Sequence, residues 1–160
     1  MRHLLLILSL CLISIGHAQD DKYLEKVKSI DNIMETLYGV ISGEKGKARN
    51  WELFDYLFHK DAKLIPSGTS PQGKNGAFFQ TTEQYKQTSG KWLVENGFFE
   101  QEIGRTVEQF GHIAHVFSTY QAFHAKNESK PFMRGINSVQ LLYDGKRWWV
   151  LNTCSTCVTI

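Results

Sequence analysis

The sequence predicts an α+β domain in which three N-terminal helices pack on one face of a mainly antiparallel sheet. Two features of the apolar pattern carry this prediction: apolar residues recur every three or four positions up to about residue 94, and every second position beyond residue 97. Short turn sequences separate the later segments, as in consecutive antiparallel strands. Helices followed by such strands are typical of the α+β class.

The first two helices follow directly from apolar spacing. Residues 20–42 predict a long amphipathic helix, and the Gly- and Lys-containing stretch 42–47 ends it. Asn50 is a suitable N-cap for a short aromatic helix over 51–58. The apolar face of the long helix consists of Leu24, Val27, Ile30, Met34, Leu37, Tyr38 and Ile41.

A short strand and a third helix are predicted next. Residues 62–66 read as a brief strand, and residues 67–76, rich in Gly, Ser and Pro, predict a mobile loop. Thr81 and Gln84 have the spacing of a capping box, which predicts a helix over 85–94.

The strand after Gly97 has two distinct faces. Alternation predicts that its apolar face is inward and its acidic face exposed. The inward set is Phe99, Ile103 and Val107, and the exposed set is Glu100, Glu102, Thr106 and Glu108.

Three further strands complete the predicted sheet. They span 113–125, 132–143 and 147–153. Residues 110–112 form the first turn, and Asp144-Gly145 is a strong hairpin signal between the last two strands. With 160 residues and neither a repeat nor a linker, one domain is expected.

Residues 1–18 have the pattern of a cleaved secretion signal. The apolar run 4–15 follows Arg2, and Gly16 and Ala18 are the small residues that signal peptidase recognises. We therefore expect cleavage after Ala18 and export of residues 19–160 as one domain, either periplasmic or secreted. The run is too short for a membrane span, which predicts no membrane insertion. Cleavage removes one positive charge, so the near-neutral chain offers no footprint for nucleic acid.

Four strings of the sequence, 50–62, 111–120, 134–141 and 144–150, resemble the nuclear transport factor 2-like superfamily, and in particular small exported SnoaL-like bacterial proteins. The resemblance implies a cone-shaped, strongly curved antiparallel sheet with three N-terminal helices, also called cystatin-like. The superfamily includes ketosteroid isomerase, scytalone dehydratase and proteins without catalytic activity, so the resemblance leaves the function open.

A bent sheet wrapped by helices is expected to leave an apolar cavity with a few polar groups, which is the usual form of a small-molecule site. The expected partner is a small apolar or aromatic molecule. Trp51 and Phe54 are candidate aromatic contacts for it, because rigid rings bind flat ligands with little loss of entropy.

His124 and Tyr120 are the candidate catalytic residues. They share the predicted inward face of one strand with Val116, Ser118 and Ala122. Imidazole titrates near neutrality and can act as a general acid or base. The alternative is a histidine that is hydrogen-bonded at the end of its strand.

Metal binding is not expected from the histidine spacing. His115 and His124 are nine positions apart and therefore point to opposite faces, and no spacing typical of a zinc site occurs. We expect neither a metal nor another cofactor. Cys154 and Cys157 either form a local disulfide, if the tail turns, or lie on opposite faces, if it is extended.

Four polar residues on strands are candidate ligand contacts. Gln101 and Arg105 interrupt a predicted apolar face; Arg105 either pairs with a carboxylate and lines the cavity or lies at the sheet margin with its guanidinium in water. Arg134 either clamps a ligand carboxylate or lies on the surface or in a dimer contact. Asn137 joins Arg134 on the same strand.

Two functional hypotheses follow. The first is binding of a small molecule, or an accessory role, without turnover. The alternative is a lyase, isomerase or cyclase that uses His124 and Tyr120 for proton transfer. Binding leads, because the predicted inward positions contain no carboxylate to act as a base. Polar strand faces mixed with aromatic residues also predict a homodimer through the convex face of the sheet.

Overall fold

The computed structural model describes residues 22–160. The expected signal peptide, residues 1–18, lies outside these residues. A 3-10 turn at Leu24–Val27 precedes helix α1, Ile30–Ile41, so the predicted long helix is divided at Ser29, whose side chain caps α1 by accepting from the backbone N–H of Asn32.

Two further helical segments follow α1 along the chain. Helix α2, Trp51–Leu57, is capped by Asn50 as predicted. The third segment, 82–96, which we call α3, begins at the predicted capping box of Thr81 and Gln84 and contains a π-helical stretch, Lys86–Gly90, between two α-helical parts.

Six strands form one mixed sheet. Every neighbouring pair is antiparallel except β1 and β6, which are parallel, and the spatial order is β2-β1-β6-β5-β4-β3. This confirms the predicted α+β class. The strands are β1 (Phe58–Thr69), β2 (Asn75–Ala77), β3 (Phe99–Phe110), β4 (Ile113–Phe123), β5 (Met133–Tyr143) and β6 (Trp148–Thr159).

The prediction of a brief strand and a mobile loop before α3 is wrong. Strand β1 begins directly after α2 and continues to Thr69, and β2 folds back on it as a hairpin, with Ser67 opposite Ala77. On its other side β1 pairs with β6, where Ser67 lies opposite Thr156. The partner strand β6 is distant in sequence, so local turn composition could not indicate that it satisfies the backbone of β1.

The C-terminal tail is also more regular than expected. Strand β6 continues to Thr159 between β1 and β5, instead of ending at Thr153. Cys154 and Cys157 are both free on this extended strand, which matches the second of the two alternatives for the tail. They lie opposite Ser138 and Gly135 in the register with β5.

The core lies between the helices and the concave face of the sheet. Ile33 and Met34 of α1 meet Val116, Val139 and Val150 of the sheet, and all five side chains are fully buried. The opposite, convex face carries exposed apolar side chains. Within residues 22–160 no helix has the length and apolar character needed to cross a membrane.

A β-bulge in β3 decides which side chains enter the cone. The register with β4 shifts between Glu102 and Gly104, so Ile103 is the extra residue. Before the bulge, Glu102 lies opposite Tyr120; after it, Arg105 lies opposite Ser118. Even-numbered residues therefore point inward before the bulge, and odd-numbered residues point inward after it.

The predicted faces of β3 are consequently wrong at its start. Glu100 lies opposite the fully buried Ala122 and shares its inward side, whereas Gln101 is exposed opposite Gln121. Alternation alone placed Glu100 outside, because an apolar face is normally the buried one and the bulge has no local sequence signal.

Candidate functional site

The candidate site is a cavity of about 300 Å³ between the helices and the concave face of the sheet, partly open to solvent. Seven aromatic side chains dominate its wall, with aliphatic residues between them. Its uncharged polar residues are Gln80, Ser89, Asn137, Thr153 and Ser155, and among the described lining residues Glu100 is the one with a charge. The aromatic residues are Tyr38, Phe54, Phe58, Tyr85, Trp92, Phe98 and Tyr120.

Glu100 is the chemically most distinctive residue of this cavity. Burial raises the pKa of its carboxyl group from 4.5 to about 7, although a hydrogen bond from Asn137 acts in the opposite direction. Nδ2 of Asn137 donates to Oε1 of Glu100 at 3.1 Å, and among residues 22–160 Asn137 is the one side-chain donor to this carboxyl. A carboxyl with such a pKa is present in both protonation states near neutrality.

A directed hydrogen-bond chain begins at the same amide. Nδ2 of Asn137 also donates to the phenol oxygen of Tyr38 at 3.2 Å. Since an amide N–H can only donate, the Tyr38 hydroxyl donates onward to Oγ of Ser118 at 2.7 Å, and Ser118 donates to the carboxylate of Glu102. Burial raises the pKa of Tyr38 to about 12, so this phenol stays protonated.

Tyr120 provides a second phenol in the cavity wall. Its ring lies over Gly135, where an added Cβ would come within 2.7 Å of the ring and 2.6 Å of the phenol oxygen. The hydroxyl makes a long contact, 3.9 Å, to the sulfur of Met133 and also interacts with the thiol of Cys157, and both sulfur atoms are weak acceptors. Burial raises the pKa of Tyr120 well above its usual value. Tyr120 is therefore a neutral donor without a strong protein acceptor among the described residues.

Aromatic packing holds the remaining walls in place. The rings of Phe54 and Tyr85 are stacked with centroids 5.4 Å apart and planes at 10°, and Phe54 also contacts Phe58 at 4.8 Å. Burial raises the pKa of Tyr85 above its usual value, and the negative charge of Glu100 adds to this effect. Helices α2 and α3 thus present a rigid aromatic surface to the polar groups of the sheet.

An open groove lies on the other side of the polar wall. Tyr38 and Glu100 line both this groove, of about 720 Å³, and the interior cavity. In the groove, Nη2 of Arg105 lies 3.2 Å from carboxylate oxygens of both Glu102 and Asp31. Arg105 therefore pairs with carboxylates, which was the first of its two predicted alternatives. It lines the groove, however, and not the interior cavity.

Three of the residues predicted from the sequence come together in the cavity: Phe54, Tyr120 and Asn137. Trp51 lies behind the wall, where it packs edge-on against Phe54 at 5.5 Å and covers Gly90 of α3.

The other predicted polar residues lie away from this cavity. Arg134 is exposed opposite Gln121 on the convex face, and Gln101 is exposed with its amide oxygen 3.4 Å from Nε2 of Gln121. These positions supply no contact to a molecule inside the cone.

His124 lies just beyond the end of β4, outside the cavity lining. Its ring stacks on Phe132, with centroids 4.0 Å apart and planes at 8°, and Nδ1 is 3.4 Å from the carbonyl oxygen of Gly97. This matches the alternative of a hydrogen-bonded histidine at a strand end. The pairing of His124 with Tyr120 as a proton-transfer couple gains no support from this placement.

Sequence reasoning missed Glu100, Tyr38 and Tyr85. The two tyrosines carry the periodic signal of helix faces, which is the same for a core residue and for a cavity residue. Glu100 was missed because of the bulge at Ile103. The available signal was a carboxylate directly after two aromatic residues, Phe98 and Phe99, although such a position fits an exposed strand edge equally well.

No group of three or more His, Cys, Asp or Glu side chains arranged to hold a metal ion occurs within residues 22–160.

No protein-family model and no curated protein sequence matches this chain. Solved structures do match it. A nuclear transport factor 2-like protein of unknown function from Silicibacter pomeroyi has a TM-score of 0.55 and 12% identity, over 81% of this chain and 92% of that chain.

Two matching structures bear the names of enzymes. A proposed scytalone dehydratase from Novosphingobium aromaticivorans has a TM-score of 0.57 and 16% identity, over 82% of this chain and 85% of that chain. A proposed ketosteroid isomerase from Parabacteroides distasonis has a TM-score of 0.55 and 10% identity, over 84% of this chain and 96% of that chain.

The structural matches establish the architecture. Identities this low leave the activity open. The curved sheet with helices on its concave face agrees with these matches. The chain has the fold of the nuclear transport factor 2-like superfamily.

Proposed function

We propose that this protein binds a small, mainly apolar molecule inside the cone and that Glu100 transfers a proton to or from it. The reaction class would be that of an isomerase, lyase or cyclase. The observation that carries the proposal is the Glu100 carboxyl group, which faces an aromatic cavity and has a pKa raised to about 7. A carboxyl with this pKa is an efficient general base or acid near neutral pH.

The phenols supply the second requirement of proton-transfer catalysis. When a proton leaves a substrate, negative charge develops and needs a hydrogen-bond donor. Tyr120 is suited to this role because it stays protonated and its weak contact to Met133 is easily replaced. The hydroxyl of Tyr38 already donates to Ser118, so it is not the donor to the substrate. Its oxygen accepts from Asn137 and so positions the amide that holds Glu100.

The proposal revises the sequence-based hypotheses in two respects. Proton transfer, which was the alternative, replaces binding without turnover as the leading function. Glu100 takes the role of base that the sequence assigned to His124, because Glu100 lines the cavity and His124 does not. The enzyme names of two fold relatives are compatible with this chemistry.

The test separates binding from turnover. Apolar neutral, cationic and anionic compounds are screened by thermal shift against the wild type and against Glu100→Gln. Compounds that bind are then incubated in D2O, and hydrogen–deuterium exchange is followed by NMR. Glu108→Gln, on the exposed end of the same strand, is the matched control.

We expect bound compounds to stabilise all three proteins, and exchange to occur only with the wild type and Glu108→Gln. Exchange that persists in Glu100→Gln would reject Glu100 as the base. Binding without exchange in any protein would reject turnover and leave the ligand-binding function alone.

We also propose export and dimerisation. The N-terminal pattern described above supports cleavage after Ala18, and mass spectrometry of exported protein should give Gln19 as the first residue. A retained Met1 or a lipid on Cys11 would contradict this.

A further inference from the structure

We propose that the natural ligand of the interior cavity carries a positive charge, as a compact apolar amine or quaternary ammonium compound. This inference rests on the proposed function in one respect, namely that the cavity binds a small molecule. It adds the chemical class of that molecule.

The charge of the cavity wall is the first argument. Glu100 is the one carboxylic acid among the described residues of the wall, and none of these residues is Lys, Arg or His. A carboxylate or phosphate inside the cone would therefore have no cationic partner and would be repelled by ionised Glu100. An ammonium group would instead form a charge-assisted hydrogen bond or ion pair with this carboxyl.

The aromatic rings are the second argument. Seven aromatic side chains line a cavity of only about 300 Å³. The faces of aromatic rings attract cations, and several rings around one site form the cage typical of quaternary ammonium recognition. The phenols of Tyr38 on α1, Tyr85 on α3 and Tyr120 on β4 line the same cavity as the Glu100 carboxyl. Burial raises the pKa of all three phenols, and the charge of Glu100 adds to this effect.

The groove behind the polar wall adds to the negative potential. Facing Glu100 and Tyr38 from this side are four carboxylates, against the two cations Arg105 and Lys126. Arg105 is paired with Glu102 and Asp31 and offsets one of the four negative charges; Lys126 offsets a second, so a net charge of −2 remains. The four carboxylates are those of Asp31, Glu35, Glu102 and Glu128.

A cationic ligand would change the ionisation of Glu100 on binding. Its positive charge would favour the ionised carboxyl, so a proton would be released at a pH below 7. A neutral ligand of the same shape would release none. This difference provides a readout that does not depend on turnover.

The experiment compares three probes by isothermal titration calorimetry at pH 6: benzyltrimethylammonium, its neutral carbon isostere neopentylbenzene, and phenylacetate. Each titration is repeated in two buffers with different ionisation enthalpies, which gives the number of protons released. The first probe has no ionisable group, so any released proton comes from the protein. Wild type, Glu100→Gln and Trp92→Leu are compared, since Trp92 lines the cavity and is 42% exposed.

We expect the cation to bind the wild type about tenfold or more tightly than the isostere, with release of nearly one proton, and phenylacetate to bind most weakly. Glu100→Gln should lose the preference and the proton release while it still binds the isostere. Trp92→Leu should reduce the preference for the cation and keep the proton release. Equal affinities for cation and isostere in the wild type, or tighter binding of phenylacetate, would overturn the inference while leaving the binding function intact. Failure of all three probes to bind the wild type would contradict the inference and would also weaken the proposed function.

Discussion

Asn137 on β5 reaches across β4 to Glu100 on β3, with Nδ2 of the amide 3.1 Å from Oε1 of the carboxyl. The same nitrogen donates to Tyr38, so one amide joins α1 and two non-neighbouring strands at the wall of the cavity. The hydrogen bond from Asn137 holds the Glu100 carboxyl in a defined position, and it favours the ionised form of this carboxyl.

Replacement of Asn137 by Leu should therefore raise the pKa of Glu100 above about 7, since the hydrogen bond that favours the charged carboxyl is removed. The measurement is a ¹³C NMR titration of the Glu side-chain carboxyl carbons, with Glu100→Gln used to assign the signal. Asn152→Leu is the matched control, because Asn152 donates to Gln140 in an exposed pair and not to Glu100. An unchanged titration in Asn137→Leu would show that this bond does not influence Glu100.

Glu100 should make stability depend on pH in a specific direction. Its pKa is about 7 in the folded state and near 4.5 in an unfolded chain, so the folded state binds the proton more tightly. Stability is then highest below pH 4.5 and falls as the pH rises through 7, by roughly 3 kcal/mol.

Urea unfolding at pH 4.5, 6 and 8 measures this effect as the difference between wild type and Glu100→Gln. The variant should gain stability relative to the wild type as the pH rises. Parallel curves for the two proteins at all three pH values would contradict the raised pKa. Glu108→Gln should follow the wild type.

Gly135 should be essential for the position of Tyr120. A Cβ at residue 135 would lie 2.5 Å from the carbonyl oxygen of Thr156 and 2.6 Å from the phenol oxygen of Tyr120. Because the carbonyl belongs to the paired strand β6, relief of both contacts requires a shift of the β5 or β6 backbone as well as of the ring. Gly135→Ala should thus destabilise the fold by about 1–3 kcal/mol and weaken binding in the cavity.

Gly68→Ala is the matched control, since a Cβ at this glycine of β1 meets nothing within 4 Å. Circular dichroism with urea unfolding gives the stability, and thermal shift with a bound compound gives the affinity. If Gly135→Ala were as stable and as competent in binding as Gly68→Ala, the ring of Tyr120 would not be confined as described.

Arg49 should be required for the stability of the helical layer. Its buried guanidinium donates to five backbone carbonyls at the end of α1, in the following loop and in α3, including Ile41 and Gly43 at 2.8 Å and Leu93 at 2.9 Å. Arg49→Lys keeps the charge but loses the planar set of donors. We expect a loss of about 3 kcal/mol in urea unfolding, against almost none for exposed Lys47→Met.

The convex face of the sheet should form a homodimer contact. Ile113 and Phe117 are 58% and 47% exposed on this face of β4, although both are large apolar side chains. Light scattering of residues 19–160 should give about twice the chain mass, and Phe117→Arg should give the monomer. A monomeric wild type at tens of micromolar would reject the stable dimer.

The sequence by itself determined the types of element and much of their order. Helix periodicity, the capping box at Thr81 and the turns at Gly111 and Gly145, both with positive φ, are local properties of a few neighbouring residues. The inward face of β4 also followed from alternation, so Tyr120 was predicted inside the cone. These features depend on backbone conformation and short-range patterning, which a sequence displays directly.

Only the tertiary structure decided which groups share the cavity. The bulge at Ile103 turns Glu100 and Glu102 inward, and the pairing of β1 with β6 extends two strands beyond their apolar patterns. Both depend on backbone hydrogen bonds between segments far apart in sequence. A one-residue shift in such a register exchanges the two faces of a strand, and for this reason a carboxylate expected in water lies in the wall of the cavity.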